Sequence, residues 1–126
     1  MIRQHFDVES YWEVIIYYNV DYNLFSSIER DLLEVQASNK TIEEIYNMMS
    51  TFKAKAVTYS NLKQHISIIL LNKHKSEKDY INSIVHEAEH VKQAMLEAYN
   101  VEDIGEPPAY TIGYLVGRMW KVFRDI

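Results

Sequence analysis

The amino-acid sequence predicts an α+β fold, a small, largely antiparallel sheet packed with about four helices. Three features carry that expectation. Residues 11–22 alternate with period two, residues 56–60 and 65–74 form two β-rich runs about a polar turn, and four other stretches place apolar residues at helical spacing. The 126 residues, 48% apolar and 25% charged, suffice for one domain (1–126) with a substantial core and are too few for a second.

In chain order, residues 1–7 are polar and lead into the first strand. Over residues 11–22, Trp12, Val14, Ile16, Tyr18, Val20 and Tyr22 share one face while Glu13, Asn19 and Asp21 lie on the other, the pattern of a half-buried strand. Asn23 is a candidate N-cap for a helix with Phe25, Ile28, Leu32 and Val35 inward. Ser38-Asn39-Lys40 breaks that helix. Thr41-Ile42-Glu43-Glu44 has the form of a capping box opening a shorter one, with Ile42, Ile45, Tyr46 and Met49 as its apolar face. A β-hairpin over residues 56–60 and 65–74 follows, and residues 66–71, apolar on both faces, belong inside the sheet or beneath helices. Ser76-Glu77-Lys78-Asp79 resembles a capping box, so the next helix runs from about residue 77 to about residue 100. After a loop at 101–105, Glu106-Pro107-Pro108 opens the last helix, because proline is tolerated in a first turn. Tyr110, Ile112, Tyr114, Leu115, Val116, Met119, Trp120 and Phe123 make that helix broadly apolar, which predicts extensive burial. Gly113 and Gly117 share the face of Ala109, Tyr110 and roughly Glu106, a shallow surface on which the preceding helix is expected to pack.

The chemistry is concentrated in Val85-His86-Glu87-Ala88-Glu89-His90, which contains the pattern H-E-x-x-H. Residues four apart on a helix sit one turn apart on the same face, so His86 and His90 can ligate one zinc ion from the same side. Glu87 then stands beside the ion, where it can take a proton from bound water. Ile81, Ile84, Val85, Ala88, Val91, Met95 and Tyr99 form the apolar stripe of this helix, and both histidines lie nearly opposite it beside Ser83, Gln93 and Glu97. Histidines on a polar face suit an open cleft.

Catalytic zinc takes three protein ligands and a water. Glu106 is the first choice for the third, since it follows the motif, begins a helix and lies on the face expected to approach the motif helix. A tight helix hairpin would leave it about 15 Å along the axis from His90, so the loop has to run back. Glu97, about 10 Å beyond His90 along one helix, and Glu89, off to one side, are weaker. Asp103, Glu102, His65 and His74 stay open. Tyr110, one turn past Glu106, is a candidate donor to the oxyanion formed when a carbonyl is attacked.

Composition excludes several classes. With no cysteine, neither a disulfide framework nor a thiolate metal site exists. A net charge of −5 argues against a nucleic-acid surface, and Arg118, Lys121 and Arg124 read as complements to the C-terminal helix dipole. No apolar run approaches membrane-spanning length and the N-terminus has no signal-peptide pattern, so the expected setting is soluble, unsecreted and cytoplasmic, with no membrane partner.

His86-Glu87-x-x-His90 followed by Glu106-Pro107-x-Ala109-Tyr110 and a long apolar helix resembles the small zincin-like proteins, often phage- or prophage-borne, that carry an H-E-x-x-H helix and a downstream E-P-x-A-Y segment. The resemblance covers the last third of the chain, and the rest by element order only. It implies a minimal zincin domain, with zinc held by the two histidines and a downstream glutamate; the peptide or protein substrate is expected from the zinc chemistry and not from the resemblance. The expected function is zinc-dependent peptide hydrolysis, with Glu87 as base and Tyr110 steadying the oxyanion. The alternative is a non-catalytic metal-containing binding or inhibitor protein on the same scaffold, which the shortness of the chain favours.

Overall fold

The computed structural model describes all 126 residues. Its elements are β1 (Ile2–Val8), β2 (Trp12–Tyr18), α1 (Phe25–Glu34), α2 (Asn39–Ser50), β3 (Ala56–Asn61), β4 (Ile66–Leu71), α3 (Glu77–Tyr99) and α4 (Glu106–Arg124). One four-stranded sheet has the order β1-β2-β4-β3, antiparallel at β1–β2 and β3–β4 and parallel at β2–β4. Four helices on a mostly antiparallel sheet are the α+β fold predicted. No helix is long and apolar enough to cross a membrane.

The N-terminal segment is itself a strand and not a polar lead-in. It pairs with β2 from Ile2↔Tyr18 to Val8↔Trp12. Its turn places Glu9 (φ 51°) and Ser10 (φ 64°) in the left-handed region without the Asn-Gly signature that usually announces such a hairpin. β2 ends at Tyr18, short of residue 22, and is buried on both faces rather than half-buried. Trp12, Val14, Ile16 and Tyr18 join Ile69 and Leu71 in a core with α3 and α4, while Ile15 and Tyr17 join Ile68 and Leu70 in a second core with α1 and α2. Each face of the sheet thus carries two helices.

Local chemistry sets the helix ends. Asp21, not Asn23, caps the 3-10 turn Tyr22–Leu24 that runs into α1, its carboxylate accepting the Asn23 N–H at 3.0 Å. Ser38, not Thr41, caps α2 by accepting the Thr41 N–H at 3.1 Å. The inward faces are those expected: Phe25, Ile28 and Leu32 in α1, and Ile42, Ile45 and Met49 in α2. Within α1, buried Asp31 accepts the Arg3 Nε–H at 3.0 Å and the Tyr17 O–H, so its side chain is satisfied by two residues that face each other across the β1–β2 ladder. Burial, reinforced by the Asp31 hydrogen bond, pushes the Tyr17 phenol up to about 12.

α3 begins where predicted, with Ser76 Oγ accepting the Asp79 N–H at 3.2 Å, and ends at Asn100 in the left-handed conformation (φ 53°). It buries Tyr80, Ile84, Ala88 and Val91. α4 returns antiparallel: Phe123 near its end stacks on Tyr80 near the start of α3, ring centroids 4.5 Å apart. Tyr114 meets Phe6 edge-on and donates to the Asp7 carbonyl at 3.1 Å, tying α4 to β1.

Two expectations for α4 are overturned. It buries only Pro108, Leu115 and Met119, leaving Tyr110, Tyr114 and Trp120 exposed. A Cβ added at Gly113 or Gly117 would meet nothing within 4 Å, so the glycine face looks outward while Leu115 and Met119 carry the contact with α3. A glycine in an open helix interior costs backbone entropy without compensation. Gly113→Ala and Gly117→Ala should each stabilise the fold by roughly 0.5–1 kcal/mol, read as a higher urea midpoint. Destabilisation by either substitution would show that the face is packed.

Candidate metal centre

α3 lies over β3, one of the two edge strands of the sheet, and Glu87 of the motif reaches that strand. His86 and His90 project to solvent from successive turns. Their Nε2 atoms are 3.1 Å apart, with ring centroids at 4.8 Å and planes at 79°. Two nitrogens bound to one tetrahedral zinc ion are expected roughly 3.3 Å apart. The pair is therefore close to the separation a shared ion demands.

Glu87 behaves differently from its neighbours. Its side chain is 6% exposed, against 69% for that of His86, and it is turned under α3 toward β3. There Oε1 accepts the Thr58 Oγ1–H at 2.8 Å, while Oε2 stays 4.0 Å from His86 Nε2. One oxygen is anchored on the edge strand and the other faces the imidazole. A cleft of about 330 Å³ opens alongside, lined by Ala56 of β3, by Asn82, Ser83, His86 and Glu87 of α3, and by the Lys55–Asp79 pair (3.6 Å).

The other predicted site residues are not assembled there. Glu106 opens α4 behind Gly105 (φ 80°), is exposed, and completes no group of three ligand atoms with His86 and His90. Tyr110 is 73% exposed and does not line the cleft. The connecting loop does run back, as ligation by Glu106 would require. Asp103 reaches Lys92, two residues past His90, at 2.9 Å, and Lys92 also holds Glu89 at 2.9 Å. Among the rival ligands, Glu89 and Asp103 are engaged by this lysine. His74 sits between the Asn72 carbonyl and Ser83 Oγ, each at 2.6 Å, and His65 is stacked on Trp12. β4 is flanked by β2 and β3, so the edges of the sheet are β1 and β3.

The Lys92 clamp has a defined pH window. The hydrogen bond from Lys92, then that from Gln93, lowers the Glu89 carboxyl, and the bonds to Glu89 and Asp103 raise the Lys92 ammonium. The lowered carboxyl stabilises the folded chain above the ordinary carboxylate range, a contribution lost as pH falls through the folded value. The raised ammonium contributes below its ordinary value and is lost only in strong alkali. Both hold at neutral pH.

Thr58 and Lys92 are the participants that sequence reasoning missed. The only available signal was the alternation of Ala56, Thr58 and Ser60 along one face of a strand. Comparison with protein families, curated proteins and solved structures returned no match.

Thr58→Val should destabilise the fold by about 1–3 kcal/mol, because an isosteric methyl leaves a buried carboxylate oxygen without its donor. Thr58→Ser should recover most of the loss in chemical denaturation. Equal stability of the valine variant and the parent would mean that water replaces the hydroxyl.

Proposed function

We propose that the chain is a zinc-dependent metallopeptidase of the HExxH type, a minimal zincin-like domain that hydrolyses peptide bonds. The observation that carries this reading is the convergence of His86 and His90 Nε2 at 3.1 Å beside a buried, anchored Glu87. The two imidazoles suit zinc as two of the three protein ligands it needs, and the Glu87 carboxylate between them is held toward β3 by Thr58.

When bound, zinc acidifies its water and polarises the scissile carbonyl. Glu87 Oε2, on the His86 side of the carboxylate, takes the proton and delivers it to the leaving amine, while Oε1 stays on Thr58 and keeps the group oriented. Glu106 is the third ligand in this reading, which needs the 100–105 loop to bring its carboxylate closer than it stands here. Tyr110 serves as oxyanion donor only if it closes over the cleft. A peptide or protein is the substrate. A cysteine-free chain needs no oxidising compartment, so the reading includes a cytoplasmic setting.

One observation favours a second reading. The incomplete donor set at His86 and His90 suits a binding or inhibitor protein that keeps the scaffold and a weakly held metal without turnover.

Glu87→Gln should retain zinc and lose hydrolysis of a peptide library, because the amide keeps the shape and removes the base. Cleavage by the variant at the parental rate would remove Glu87 from the mechanism. Glu106→Ala should weaken zinc at least tenfold in competition with a chromophoric chelator, with Glu97→Ala and Glu102→Ala unchanged. If Glu106 contributes only to helix capping, the alanine variant should lose about 1 kcal/mol of stability and bind zinc normally.

A further inference from the structure

The chain holds one group of three His, Asp or Glu side chains whose ligand atoms all lie within 4.8 Å of one another, and it is not in the H-E-x-x-H helix. It is His5, Asp7 and Glu13, exposed on the β1–β2 hairpin. We propose that these three residues form a second, independent site for a divalent first-row cation.

Strand geometry brings the donors together. Side chains two apart on a strand share a face, so His5 and Asp7 point the same way, opposite to buried Phe6 and Val8. In the antiparallel ladder Asp7 is the direct partner of Glu13, whose side chain is on that same face. His5 Nε2 lies 3.3 Å from Glu13 Oε1. That is about the spacing, roughly 3.3 Å, of two ligands on one tetrahedral zinc ion. The frame is firm: the Glu13 N–H donates to the His65 carbonyl at 2.9 Å, and the Asp7 carbonyl is fixed by the Tyr114 hydroxyl at 3.1 Å.

Charge completes the case. Two carboxylates directly opposite each other on neighbouring strands repel. Arg3, the other basic residue on this face of β1, is committed to Asp31 at 3.0 Å. One imidazole is left against two anions, whereas a divalent cation matches both carboxylates and accepts neutral imidazole as its third donor. Mixed imidazole and carboxylate donors, with no thiolate in the chain, select zinc and its first-row neighbours over softer ions. The exposed side of the group leaves coordination positions to water. Bound there, the ion joins edge strand β1 to β2 through side chains as well as backbone.

The test separates this site from the H-E-x-x-H pair. In H86A/H90A, which alters two exposed residues, zinc titrated against a chromophoric chelator should bind with one equivalent and raise the melting temperature. Adding H5A or E13Q should weaken that binding at least tenfold and abolish the thermal shift. E13Q without metal should melt no lower than its parent, since it removes one of two facing charges. Absence of zinc binding in H86A/H90A, or binding indifferent to H5A and E13Q, overturns the proposal. The parent chain should bind two equivalents. If the helix pair holds no zinc, it should bind one, and H5A should then remove it.

Discussion

The parallel pairing of β2 with β4 is the constraint from which the rest of the architecture follows. Parallel neighbours cannot be joined by a tight turn, and here the connection is the whole of α1, α2 and β3. Such a pair is stable only when both faces are covered, and Ile15, Tyr17, Ile68 and Leu70 are sealed by the crossing helices. Val14, Ile16, Ile69 and Leu71 face the other way and have to be covered by chain that follows β4, namely α3 and α4. The motif helix therefore lies over the sheet because the central strands need a second lid, and its lateral position over β3 sets what its polar residues can reach.

The elements legible in the sequence were those whose periodicity and caps agreed. Ser76 and the repeat of Ile84, Ala88 and Val91 announce α3, whose start and length follow them closely, although the buried face is rolled toward Tyr80 and Glu87 so that Val85 and Tyr99 of the predicted stripe stand exposed. β2 was misjudged because Ile15 and Tyr17 sit on the face whose other members, Glu13 and Asn19, are polar. The alternation described the strand's ends and not its middle. α4 shows the limit of counting apolar residues, since a helix apolar all round reads as buried, yet Tyr110, Tyr114 and Trp120 face outward. β1 was invisible for another reason. Its turn relies on Glu9 and Ser10 in left-handed conformations that neither residue advertises. The loss of β1 also hid the alignment of His5 and Asp7 with Glu13.

Within the candidate centre, the H-E-x-x-H pattern foretold the shared face of the two histidines, because that follows from helical spacing alone. It did not foretell the burial of Glu87, which depends on how α3 is rolled on the sheet. Phase places Glu87 beside Val91 and Ile84, at the margin of the apolar stripe, and the roll observed draws it inward to Thr58 while His86 remains outside. The loop beyond α3 is likewise a tertiary outcome. Lys92 gathers Glu89 and Asp103 from opposite sides, and nothing in the local sequence of residues 101–105 specifies that partner.

The two edges of the sheet are protected unequally. β1 carries Arg3, His5 and Asp7 along its length, charges that discourage pairing with another chain. β3, Ala56-Val57-Thr58-Tyr59-Ser60-Asn61, has none, and its outer row of peptide groups has no partner strand. It is the kind of short, uncharged, β-prone segment from which intermolecular strand pairing starts. Lys53 and Lys55 before it and Lys63 after it then act as gatekeepers, placing positive charge at both ends of the exposed row. Replacing them with neutral residues would leave the fold intact and convert its open edge into a template for self-association.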